Sequence, residues 1–345
     1  MISRIACVCL CALAVTSISA AQPLKLRLPT DNRALLENTP EKFYMYVPRI
    51  FEGESSKPWQ GGMYGFVRNM KRTPQGVIGT RFHEGIDIRP VKRDSAGRPL
   101  DEVRAIADGN VAYVQSNPGG SNYGRYVVVE HNWGDGPFFS LYAHLAAITV
   151  APGQRVLAGQ ALGKMGYTGA GISRERAHVH VELNILLSLR FDAWHQMKYG
   201  VENKHGLHNG MNLSGLNIAN LLLIHNKDPK ITIPKFLQRA PTYYKVTSPR
   251  RGALEIAERY PWLRKGNHNR PSPSWEISFT PAGFPLAIAP SYREVPKPLV
   301  TYVRTTQSRH EYFTLSRLTG SGRRASLTKS GLQHFALITG EFGKK

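Results

Sequence analysis

Hydrophobic and polar residues alternate most strictly between Ala177 and Leu183, where the chain reads Ala-His-Val-His-Val-Glu-Leu. Successive side chains of an extended strand point to opposite faces, so this run predicts a strand with Val179, Val181 and Leu183 turned to a core. His178, His180 and Glu182 then share the opposite face. Shorter runs of strand character precede it at 85–88, 103–106, 109–114, 126–131 and 138–144. Turn signals separate them, among them Asn117-Pro118-Gly119-Gly120, Gly134-Asp135-Gly136-Pro137 and Gly169-Ala170-Gly171, and no helical period intervenes. The pattern predicts a mainly β, antiparallel domain and argues against a parallel α/β sheet.

The flanks read differently. Phe43 to Val47 and Tyr64 to Arg68 look like short strands, in a stretch whose residues offer no chemistry of their own. Beyond Leu186 the period changes, and Leu213 to His225 predicts a helix before Pro229 and Pro234 break the chain. Trp275 to Phe279 and Pro285 to Ile288 read as a hairpin, with further strands near 299–304 and 334–342, which makes a small β-rich C-terminal region.

The first 21 residues stand apart: Arg4 precedes an uncharged apolar run from Ile5 to Val15, and Ser19-Ala20-Ala21 offers a small-residue exit. This is the layout of an export leader, cleaved after Ala20 or Ala21, with a retained N-terminal anchor as the alternative. The run is too short to span a bilayer, which takes about 20 apolar residues, and the mature chain is expected to have no transmembrane span. All three cysteines, Cys7, Cys9 and Cys11, lie in this leader, so the mature chain has no thiol for disulfides, nucleophilic catalysis or zinc ligation. Any metal site must use histidine and carboxylate. Lys and Arg number 45 against 24 Asp and Glu, or 44 against 24 once Arg4 leaves with the leader. Such a surface suits an anionic envelope. Nucleic acid is the other polyanion, but the cations are scattered and no nucleic-acid-binding signature appears.

Upstream of the alternating strand sits Arg81-Phe82-His83-Glu84-Gly85-Ile86-Asp87-Ile88. Two isoleucines flank Asp87, so alternation turns it away from the core, and Gly85 permits a bend that brings His83 to the same site. His83, Asp87 and His180 then form a two-histidine, one-carboxylate set, the donor arrangement of a catalytic zinc with one open position. The helical His-Glu-x-x-His motif fails here, because the fifth residue is Asp87 and the segment is not helical, and Glu84 reads as a surface residue. In Ser140-Leu141-Tyr142-Ala143-His144-Leu145, alternation puts Tyr142 and His144 on one face. His205, His208 and His225 lack a carboxylate at fitting spacing and read as loop residues, and His131 as structural.

With these residues in place, the segment from about 80 to 185 resembles the lysostaphin-type (LytM-like) zinc endopeptidases that cut bacterial cell-wall peptides. The resemblance rests on His83-x-Gly85-x-Asp87, Ala105-x-Ala107-x-Gly109-x-Val111, Gly124, Val127-Val128-Val129-Glu130-His131 and Tyr142-x-His144-Leu145. It continues through Val150-x-Pro152-Gly153-Gln154-x-Val156-x-x-Gly159-Gln160, Gly163-x-x-Gly166-x-Thr168-Gly169 and His178-x-His180-x-Glu182. It implies one zinc ion held by His83, Asp87 and His180, with His144 and His178 in catalysis. Which of the two is the base stays open. Some members have lost ligands and only activate other wall hydrolases; here all five positions are filled, which favours activity.

The expected organisation is a leader (1–21), an N-terminal extension (22–70), a lysostaphin-type metallopeptidase domain (71–190), a helical or loop connector (191–235) and an accessory region (236–345). The expected function is an exported zinc endopeptidase of the periplasm or cell wall, with peptidoglycan peptides as substrate and an anionic envelope surface as partner. A non-catalytic peptidoglycan-binding or activator module of the same fold is the alternative.

Overall fold

The protein is seen in a computed structural model that describes residues 23–342; the expected leader and its cysteines lie outside the described residues. A hairpin of β1 (Gly65–Thr73) and β2 (Gly76–His83) leads into the short β3 (Ile86–Ile88). The central sheet adds β4 (Gly109–Gln115), β5 (Tyr126–Asn132), β6 (Pro137–Ala143), β7 (Arg155–Val156), β8 (Val179–Leu186) and β9 (Leu213–Gly215). Its order is β7-β4-β5-β6-β8-β9, with β3 also paired to β8, and every ladder in it is antiparallel. The mainly β, antiparallel architecture is therefore as the alternation predicts.

Strand β8 is buried along its whole length, with Val179, Val181, Leu183 and Ile185 turned to one layer and the polar His180, Glu182 and Asn184 covered on the other. One face, with Val127, Val129, Tyr142, Val179, Val181 and Leu183, joins a core that runs from Leu24 to Phe342. On the other face Tyr126, Val128, Phe139, Leu141 and Ala143 form a smaller cluster. His180 and Glu182 lie on that second face, opposite Ala143 and Leu141.

The C-terminal region holds a second antiparallel sheet of β10 (Tyr244–Pro249), β11 (Ser274–Phe279), β12 (Pro285–Ser291) and β13 (Leu299–Val303), in the order β12-β11-β10-β13. The expected hairpin at 275–288 and the strand near 299 are both present. Tyr260 ties this region to the central sheet: its hydroxyl donates to the Pro137 carbonyl (2.8 Å) and accepts from the Leu186 N–H (2.9 Å). Ser308 also reaches the tip of the β1–β2 hairpin, donating to Gln75 Oε1 (2.7 Å), and Lys71 lies 4.7 Å over the Tyr312 ring. The hairpin is thus held at its far end while its base walls a cleft.

Three expected elements are corrected. Residues 329–339, read in part as a strand, form a helix, α3 below, that Thr328 caps by accepting the Gly331 N–H (3.1 Å) and Gly340 ends in the left-handed region. Its buried positions Gly331, His334, Phe335 and Ile338 recur at helical spacing, and the apolar run at 335–338 masked that period. The stretch from Leu213 begins as edge strand β9, not helix. Asn217 accepts the Asn220 N–H (3.1 Å), so the helix starts only at Ile218 and runs to Lys227. Phe43 to Val47 contributes a short helical turn, Pro40–Phe43, and one bridge from Tyr44 to Ile88. In chain order the longer helices are α1 (Phe191–Tyr199), α2 (Ile218–Lys227) and α3 (Lys329–Thr339). Among the described residues no helix is long and apolar enough to cross a membrane.

Candidate metal centre

Register places the three expected ligands together. Asp87 on β3 lies directly across from His180 on β8, and His83 ends β2 with two residues between it and the start of β3. The chain can turn so tightly between them because Gly85 has no side chain: a Cβ there would stand 2.5 Å from the Val181 carbonyl oxygen and 2.9 Å from His180 Cε1. Its φ is not positive, so close approach and not an unusual bend is what demands glycine. His83 Nε2, Asp87 Oδ1 and His180 Nδ1 are 3.0 to 3.1 Å from one another. His83 and Asp87 are each 2% exposed and His180 4%.

The remaining atoms of these rings fix their protons. His83 Nδ1 donates to the Met63 carbonyl (2.8 Å), leaving Nε2 a lone pair. His180 Nε2 donates to Glu182 Oε1 (2.7 Å), leaving Nδ1 a lone pair. Both lone pairs face the carboxylate oxygen of Asp87. Three acceptors at such distances repel unless a positive charge stands among them, and this donor set suits a divalent cation such as zinc. A proton answers the same demand. Burial opposes charging His180, but its bonds to Asp87 and Glu182 prevail and lift it to about 10. Burial likewise pushes the Asp87 carboxyl up, yet His83, His178 and His180 hold it well below the usual carboxylate range. These three residues form a group that could hold a metal ion.

His178 and His144 stand beside this group. His178 Nε2 is 3.5 Å from Asp87 Oδ1, and its Nδ1 donates to the Arg176 carbonyl (2.6 Å). His144 Nδ1 donates to the Thr168 carbonyl (2.9 Å), and its ring centroid lies 4.8 Å from that of His178. Each therefore presents an acceptor Nε2. Burial, with the neighbouring His178 and His180, presses His144 well below the usual histidine value.

Alternation misjudged how His144 arrives. Tyr142 faces the core, its hydroxyl accepting from the Ile106 N–H (2.8 Å) and from Ser140 Oγ (2.9 Å), so it is no donor at the site. His144 reaches the site because the strand ends there with φ of +65°, a backbone region uncommon for residues other than glycine. Strain at this position re-aims the imidazole.

Four contributors had weaker signals or none. Arg68 donates through Nη2 to Asp87 Oδ2 (2.6 Å) and through Nε to the Gly61 carbonyl (2.8 Å). A bulge between Phe66 and Arg68 shifts the phase of β1 there, which hides the placement of Arg68 from any period-two reading. The Met63 carbonyl is backbone and leaves no trace in residue type. The stretch expected to be without chemistry therefore supplies two partners of the centre. Tyr123 donates to Glu182 Oε1 (2.6 Å), and Glu84, expected on the surface, is half-buried with Oε1 3.2 Å from the Tyr123 hydroxyl. His131 is a buried scaffold residue between the Asp108 carbonyl (2.8 Å) and Ser140 Oγ (2.7 Å). Among the described residues His205, His208 and His225 join no metal-capable group, although His205 lines the cleft.

The cleft over this centre has a volume of about 1150 Å³. Val47 to Ile50 and the β1–β2 hairpin form one wall, and the segments around Tyr123, Ile172 and Met211 form the others.

The family model for Peptidase family M23 matches residues 81–190. The chain is 34% identical over 102 residues to the lipoprotein NlpD/LppB homolog of Pseudomonas aeruginosa, covering 30% of this chain and 29% of that protein. It is 31% identical over 109 residues to the murein hydrolase activator NlpD of Escherichia coli, covering 32% and 26%. The match thus spans under a third of the length of these curated relatives. Among solved structures, a zinc-containing peptidase from Vibrio cholerae is 26% identical, covering 41% of this chain and 36% of that one with a TM-score of 0.26. The catalytic domain of lysostaphin from Staphylococcus simulans is 22% identical, covering 40% and 79% with a TM-score of 0.25. The likeness to Peptidase family M23 is thus confined to residues 81–190.

Proposed function

We propose that the chain is an exported zinc endopeptidase that hydrolyses peptide bonds in peptidoglycan, in the stem peptides or in their cross-links. The observation that carries this reading is the convergence of three possible ligand atoms, His83 Nε2, Asp87 Oδ1 and His180 Nδ1, in a cleft that also presents two further imidazoles. His83, Asp87 and His180 would hold a zinc ion, which would supply a Lewis acid for the scissile carbonyl and lower the pKa of a water toward about 7. The protein does the rest. Glu182 and the Met63 carbonyl orient the two ligand rings through their second nitrogens. Nε2 of His178 or His144 accepts the proton of the attacking water and returns it to the leaving amine. The other ring donates to the oxyanion that develops on the carbonyl when it carries a second proton on Nε2. Thr168 and Arg176 hold both rings with Nε2 free for these tasks.

A second reading has its own support, since relatives at 31% identity are named murein hydrolase activators. A non-catalytic activator of this fold would bind wall material and act on it without turnover. Incubating purified protein with defined muropeptides, with and without a chelator, separates the two. New amine termini in the metal-loaded sample alone support the enzyme. Their absence, with wall binding that survives His180→Ala, supports the activator. The surplus of Lys and Arg is read as attraction to the anionic envelope where such a protein would work.

A further inference from the structure

The cleft holds more positive charge than its own residues neutralise. Arg49, Arg68, Arg81 and Arg176 line it, against two carboxylates, Asp87 and Glu84. Asp87 is shared among Arg68 and the histidines of the metal centre, and Glu84 sits with Tyr123. The charges are also divided in space. Arg68 and Arg176 belong to the end bounded by the carbonyls of Gly61 and Tyr46, whereas Glu84 and Tyr123 belong to the end where Gly210 packs on the Tyr123 ring.

Among the described residues Arg49, Arg81 and Arg176 form no ion pair, and Arg176 is the one set against the charges of Asp87 and Arg68. It is half-buried, its Nε donates to the Tyr46 carbonyl (3.2 Å), and among the described residues it forms no ion pair. Burial lowers its ionisation from the ordinary guanidinium value, Asp87 opposes that, and the charge of Arg68 adds to it. Its backbone carbonyl holds His178, so its side chain starts two residues from an imidazole of the centre. A guanidinium set into a cleft wall, short of an acidic partner, is a fork for an incoming carboxylate.

We propose that Arg176, with Arg68 behind it, forms a carboxylate-binding subsite beside the metal centre. The substrate is then a peptide that carries a free carboxylate close to the scissile bond on the Asp87 side of the cleft. This rests on the endopeptidase reading and narrows its substrate class. Arg176 acts as a specificity residue that anchors the substrate and takes no part in proton transfer.

The test uses the full chain and two synthetic cross-linked stem peptides, one with free carboxyl groups and one with all of them amidated. A charge-assisted bond to Arg176 predicts a preference for the acid peptide of roughly tenfold or more in kcat/KM, carried mainly by KM. Arg176→Gln is expected to bring the preference close to unity, and Arg176→Lys to keep part of it, with melting curves showing that both fold. The same pair of peptides is titrated against metal-free protein by calorimetry, which reads the subsite without turnover. Tighter binding of the acid peptide, lost in Arg176→Gln, supports the subsite even if no peptide is cut, an outcome that would remove only the endopeptidase reading. Equal binding of acid and amide peptides, or a preference untouched by Arg176→Gln, overturns it.

Discussion

His83 Nε2 stands 3.0 Å from His180 Nδ1, although each ring has already committed its N–H elsewhere, to the Met63 carbonyl and to Glu182. Two lone pairs at that distance, with the Asp87 carboxylate between them, are tolerable only around a cation. Every expectation about activity descends from that contact.

Zinc should bind one ion per chain, and Glu182→Gln should weaken it by roughly tenfold to hundredfold, since the carboxylate that orients His180 is lost. Competition titration against a chromophoric chelator measures this. His180→Ala should abolish binding in the same assay. Full affinity in either variant would mean the ligands lie elsewhere.

His144→Ala and His178→Ala should each keep the zinc but lower kcat by roughly 100- to 10,000-fold, the range for a lost acid–base group. Metal content by mass spectrometry and turnover on muropeptides are read together. Loss of zinc with kcat per bound metal unchanged would reverse the assignment and make the ring a ligand.

Acid should weaken the fold through His131. Burial lowers this ring from 6.5 to about 4, so between those values the unfolded chain binds a proton that the native protein refuses. Its contribution is complete above pH 6.5 and is lost as the pH falls toward 4, at about 1.4 kcal/mol per pH unit within the window. Urea unfolding of wild type and His131→Gln at pH 7 and pH 5 isolates the effect. The stability difference between the two proteins should shrink on acidification, and a difference independent of pH would contradict the assignment.

Gly85→Ala should damage both fold and site. The added methyl would stand 2.5 Å from a backbone oxygen of β8 and 2.9 Å from His180, so strands β3 and β8 must part or His180 must move. A loss of about 1–3 kcal/mol is the usual scale for such crowding. Thermal melts and zinc titration should both register it, and a neutral outcome in both would show that the close approach does not hold.

Much of the site was legible because its pieces are local. Strand alternation alone puts His178, His180 and Glu182 on one face and Asp87 opposite its flanking isoleucines, and the structure keeps both arrangements. The errors fall where a period is interrupted. The positive φ of His144 and the bulge beside Arg68 each break the two-residue rule, and each break aims a side chain at the centre. The helix at 329–339 was missed because a compact apolar run fits strand and helix alike until a cap decides between them.

By itself the sequence determined the antiparallel β class, the exclusion of thiol ligands from the expected mature chain, and which histidines and carboxylate are candidates to bind a cation. These follow from residue type and from spacing within single strands. Tertiary structure alone decided that His83 and His180, 97 positions apart, share one oxygen of Asp87, that a carbonyl at Met63 sets a ring proton, and that Arg176 enters the cleft with no ion pair among the described residues. Those facts depend on which strands pair and in what register, and backbone groups and long-range pairing leave no mark on the order of residues.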